Sequence, residues 1–149
     1  MIARGIQRGV NGLKWKSLEE FIDHHETIIN RICDATAPES HYIVIADISC
    51  ELWRELRTVA GRTPTSLCFD CCYLVLRLSG NAISIPDMND IALQILGRPL
   101  TVWRAGNDGA WWKKPKCKEI ILDICGGGDT EAIMPLYEDI ISGWFNEEE

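Results

Sequence analysis

Nowhere in the 149 residues do 18 apolar residues run together, so no segment reads as a membrane-spanning helix. The first ten residues hold no unbroken apolar run and do not read as a signal peptide. Histidine is scarce: His24, His25 and His41 are the only three, and none follows position 41. There is no internal repeat. The triplet Gly126, Gly127, Gly128 lacks the G-K-[ST] ending of a phosphate-cradling loop and suits a tight turn better. A secreted disulfide framework is not expected either, because the seven cysteines are odd in number and a chain this long can fold without staples. These absences make the reducing cytosol the expected location, with no membrane partner. A virus or phage product working there would share them.

What is present fits one domain. Hydrophobic residues make up 46% and charged residues 25%, which is ordinary for a globular chain. The formal net charge of −7 argues against general nucleic-acid binding, whose affinity comes from neutralising phosphates with Lys and Arg. Residues 1–16 carry Arg4, Arg8, Lys14 and Lys16 with no acid and read as a basic arm. Residues 17–145 read as a single α+β domain, and 146–149 as an acidic tail.

Ser17 and Glu20 form a capping box, and a helix is predicted after it. Its apolar stripe runs through Leu18, Phe21, Ile22, His25, Ile28, Ile29, Ile32 and Cys33, with His25 a packed core residue. His41–Ala46 reads as a short strand, and a second helix is expected over about Ser49–Ala60, stopped by Gly61. After Thr63–Ser66 the run Leu67–Leu78 is apolar almost all round, the mark of a helix buried inside the domain. A fourth helix is expected over about Pro86–Leu96, ending at Gly97.

From there the pattern reads as a small antiparallel sheet. Leu100–Trp103 and Ala110–Trp112 flank a hairpin turn, Glu119–Ile124 gives a third strand and Thr130–Met134 a fourth. Pro135–Phe145 closes the domain as a short helix. The expected class is α+β, with N-terminal helices, including the cysteine-bearing one, packed on a C-terminal sheet.

Cys68 stands near the start of the buried helix, where the positive helix end favours thiolate, the nucleophilic form. A cysteine in such a helix also simply packs. Cys68 followed by Phe69, then a helix ending at Leu96-Gly-Arg-Pro99, a strand, a hairpin and a closing strand, resembles the papain-like and OTU-like cysteine proteases, the compact viral ones especially. The stretch Glu119–Ile133 is similar to their closing segment of strand, glycine pair, histidine and aromatic. The resemblance covers about Thr65–Pro135, half of the chain, and rests on pattern.

It also implies a defect. The histidine position falls on Asp129, or on Thr130 if the register slips by one, and Thr65 stands where an OTU-like domain has an aspartate. Cys–His catalysis needs an imidazole to take and return the thiol proton. His41 is the one alternative base, in a permuted arrangement. The candidate catalytic set is therefore Cys68, Asp129 and His41.

Cys68 and Cys71 also form a C-x-x-C, but Cys117 and Cys125 are poorly spaced to complete a zinc site, so no metal or other cofactor is expected. Trp111 and Trp112 precede Lys113, Lys114, Lys116 and Lys118, a combination suited to stacking on single-stranded nucleic acid or to an acidic protein surface. The alternative is one inward Trp and a solvated basic loop. The resulting expectation is a protein-interaction domain on a degenerate papain-like or OTU-like scaffold, of the viral kind that engages a host or ubiquitin-like protein. An active cysteine protease or deubiquitinase using Cys68, and a nucleic-acid binder, are the alternatives.

Overall fold

A computed structural model of the chain describes residues 18–61, 64–97 and 114–147. They form α1 (Leu18–Thr36), α2 (Tyr42–Leu56), α3 (Pro64–Leu78), α4 (Ile85–Leu96), α5 (Pro115–Gly126) and α6 (Thr130–Glu147). Among the described residues there is no strand. Over the described residues the expected α+β architecture is corrected to an all-helical one, and the papain-like or OTU-like arrangement, which needs the third and fourth strands of the C-terminal sheet, goes with it.

Each strand reading inside the described residues fails for a physical reason. His41–Ala46 is not a strand: His41 is the N-cap of α2 and Tyr42–Ala46 its opening turns. From Ile45 the buried positions are Ala46, Ser49, Cys50, Leu52, Trp53 and Leu56, a helical stripe held for three turns. Burying one such side chain is worth about 1.5–3 kcal/mol, whereas β-branched residues lose less than about 0.7 kcal/mol each in a helix. The stripe wins.

Glu119–Ile124 lies within α5. Pro115 occupies the first turn, where its missing N–H is no loss, and Gly127 caps the other end at φ 60. Cys117 and Ile121 are buried, while Ile120, Ile124 and Cys125 pack half-buried against the core. Thr130–Met134 is likewise not a strand but the start of α6, which carries Pro135 inside it. The Asp129 carboxylate accepts the Ala132 amide at 3.2 Å, satisfying a donor at the α6 start.

The helix predicted over 67–78 starts earlier, at Pro64, and lies in the middle of the molecule: Ser66 through Leu76 are all buried. It packs against α1, α2, α4 and α6, while α2 also meets α1 and α5, and α5 meets α6. The stripe of α1 is buried at His25, Ile28, Ile29, Ile32 and Cys33. At α4, Ser84 Oγ accepts the Asp87 amide at 3.2 Å, and Gly97 ends the helix at φ 77. The basic arm and the hairpin 100–112 lie outside the described residues.

Candidate functional site

All seven cysteines are free thiols. Five of them, Cys33, Cys50, Cys68, Cys71 and Cys72, are buried where α1, α2 and α3 meet. Cys68 is 0% exposed, and its thiol donates to the His25 carbonyl at 3.6 Å. Burial pushes that thiol well above its ordinary range, and negative charge on Cys50, Asp70 and Cys33 would push the same way. A helix terminus contributes about 0.3–1 kcal/mol toward an anion, while stripping a charge of water costs several. Desolvation decides the outcome, and Cys68 is held as the neutral thiol.

Its neighbours are treated alike. Burial, then Asp47 and Cys33, raises Cys50 to about 12. Burial raises Cys71 as well. Cys72 is raised first by its thiol contact with Cys33, then by burial. Among the described residues no group of three or more His, Cys, Asp or Glu is placed to hold a metal ion.

The other two candidate catalytic residues sit elsewhere. His41 is exposed at the α2 N-cap, and its side chain makes no capping bond. Asp129 is exposed, with one carboxylate oxygen engaged by the Ala132 amide. Neither is among the groups that shape the Cys68 thiol.

Of the proposed contact patch, Trp111, Trp112 and Lys113 lie outside the described residues. Three lysines remain, all on or beside the first turn of α5. Lys114 Nζ donates to the Val59 carbonyl at 3.4 Å, Lys116 pairs with Glu119 at 3.5 Å, and Lys118 reaches Glu138 of α6 at 2.7 Å. Each is met by an acceptor of the chain itself. An open groove of about 570 Å³ runs between α5 and α6, walled by Lys116, Glu119, Asp123 and Thr130 over Ile120 and Met134.

The surface feature that sequence reasoning missed lies at the start of α2. Ile43 and Val44 are adjacent and 59% and 56% exposed. The exposed side of the helix continues through Asp47 and Glu51. Helix starts ordinarily place a Ser, Thr, Asp or Asn cap and acids in the first turn. α2 has neither a side-chain cap nor an acid there, and shows solvent two β-branched aliphatics instead. Residues 18–61 are acidic around it, with nine Asp and Glu against three Arg. At the other end of α2, Arg54 pairs with Glu26 of α1.

Compared with known protein families, with curated proteins and with solved structures, the chain gives no match.

Proposed function

We propose that the chain is a protein-binding module that docks a partner on the start of α2, and that it is not a thiol hydrolase. The observation that carries this reading is the exposed pair Ile43 and Val44. Neither helix propensity, nor capping, nor burial accounts for two β-branched residues at that place. Positions where local chemistry disagrees with the fold are those at which function is expected to set the residue. The surroundings define the partner: an apolar side chain to cover Ile43 and Val44, flanked by Lys or Arg to meet Asp47 and Glu51. Charge complementarity of this kind steers encounter and is sensitive to salt. The neutral, sealed Cys68 supports the other half of the reading, because the thiolate is the nucleophile. Seven free thiols suit work in a reducing compartment.

A photo-crosslinking amino acid placed at position 44, with one at exposed Glu55 on the same helix as control, tests the reading in cytosolic extract. A discrete protein adduct from position 44, weakened by salt and lost in Ile43→Asp, is the expected result. Equal adducts from both positions would overturn it. So would labelling of Cys68 in the folded protein by an electrophilic probe for cysteine hydrolases.

A further inference from the structure

Among the buried thiols one pair stands apart. The sulfurs of Cys33 on α1 and Cys72 on α3 lie 3.8 Å from each other, both fully buried and 39 residues apart in sequence. Cys68 is turned to the His25 carbonyl instead, and Cys71 is adjacent to Cys72 but shares no such contact among the described residues. We propose that Cys33 and Cys72 are an oxidisable pair that closes to an intramolecular disulfide joining α1 to α3. This goes beyond the docking reading and does not depend on it.

The geometry favours this pairing over others. A disulfide sets its sulfurs about 2.05 Å apart, so closure asks for less than about 2 Å of combined sulfur movement. Two neighbouring helices already hold the partners, so little chain need be reordered. The same packing sets the kinetics. Both thiols are fully buried and closed off from a dissolved oxidant, so reaction waits for the α1–α3 contact to open. Oxidation is accordingly slow. Once closed and buried again, the product resists reduction, as structural disulfides do.

The oxidant is a small disulfide such as oxidised glutathione. One protein thiolate attacks it, forming a mixed disulfide and releasing one glutathione thiolate. The second protein thiolate then attacks the protein sulfur of that mixed disulfide and releases the other. Two protein thiols lose two electrons and two protons; the small disulfide takes both and leaves as two thiols.

The folded protein is incubated with excess oxidised glutathione at about pH 8, where ordinary thiols begin to ionise, then cut with trypsin and an Asp-specific protease without reduction. Tandem mass spectrometry locates the linkage. Cutting before Asp34 and Asp47 separates Cys33 from Cys50, and cutting before Asp70 separates Cys68 from Cys72. Cys71 and Cys72 share a fragment, so Cys71→Ala must keep the linkage and Cys72→Ala must lose it. The expected product is one intramolecular bond between the Cys33 and Cys72 fragments. Its urea midpoint should exceed that of the reduced protein by about 1–2 M, the order expected for a cross-link closing a loop of some 40 residues. A dominant bond of Cys68 or Cys71 to another thiol overturns the proposal, as does a stable glutathione adduct on Cys33 or Cys72. Recovery of all seven thiols from wild-type protein that has been cycled through partial unfolding with the oxidant present overturns it equally.

Discussion

His25 and Trp53 stack face to face across the α1–α2 contact, with ring centroids 5.0 Å apart and planes 15° from parallel. His24 meets His25 edge-on at 5.6 Å, and the Arg57 guanidinium lies over the Trp53 ring at 5.4 Å. This ladder joins the first two helices. Trp53 is 1% exposed and among the largest fully buried side chains.

Truncating it should therefore be severe. Trp53→Ala is expected to cost about 3–5 kcal/mol, the range for emptying a large aromatic site. Trp53→Phe should keep most of the stack and lose markedly less. Urea unfolding followed by circular dichroism at the helix band measures both.

The raised thiols make stability fall in alkali. In the unfolded chain these cysteines ionise near the ordinary value of 9.0, while Cys50 and Cys125 in the folded protein wait until about 12. Above pH 9 the unfolded state has thus released protons that the folded state still holds, and stability declines as pH rises. Below pH 9 this contribution is fully present. The urea midpoint should drop steadily between pH 9 and 11, and Cys50→Ala should flatten the slope. Native protein at pH 8 should react with an aromatic disulfide reagent far more slowly than unfolded protein.

The α5–α6 corner should respond to changes that leave every thiol untouched. Asp129→Ala removes the capping oxygen and is expected to cost about 1 kcal/mol, with Asp129→Asn close to wild type. Gly126→Ala should cost more than an ordinary Gly→Ala change, because its Cβ would meet Ile133 Cγ2 at 2.9 Å. Gly127→Ala is strained for a different reason, the positive φ of 60. Thermal melts of the three variants separate the capping, close-packing and backbone effects.

The bridge from Lys118 to Glu138 is partly exposed and should contribute little. Lys118→Ala is expected to change stability by at most about 1 kcal/mol, less at high salt. A larger loss would mean that Lys118 supports the groove through its packing stem.

Helical periodicity is legible in α1, α3 and α4 because it is unambiguous there. The stripe of α1, the all-round apolar α3 and the Gly97 stop of α4 each follow from one rule. For Cys68 the sequence leaves nucleophile and packing residue both open: it places the thiol near a helix start but does not show that three helices close over it.

The errors gather where β-branched residues crowd. Tyr42-Ile-Val-Ile45 and Glu119-Ile-Ile-Leu122 look like strands over a short window. Cys117, Ile120, Ile121, Ile124 and Cys125 nonetheless keep helical spacing, with Pro115 ahead and glycines behind. Gly126, Gly127, Gly128 and Asp129 read as a strand turn, yet a left-handed glycine followed by an Asp and then Glu131 is also a helix stop and a helix start. The pair Ile43 and Val44 was hidden by the same ambiguity, since a strand reading gives two such residues a reason to be there.

The central position of α3 also bears on motion. A helix touched by α1, α2, α4 and α6 cannot part from one neighbour and remain sheltered by the rest. Its amides should exchange with solvent only when most of the molecule comes apart, so they report the free energy of global opening. α5, which meets α2 and α6, can loosen sooner. Deuterium uptake would then divide the chain into a slow spindle and a faster flank, and a partner bound at the start of α2, by stabilising the folded state, would slow the spindle as well as its own patch.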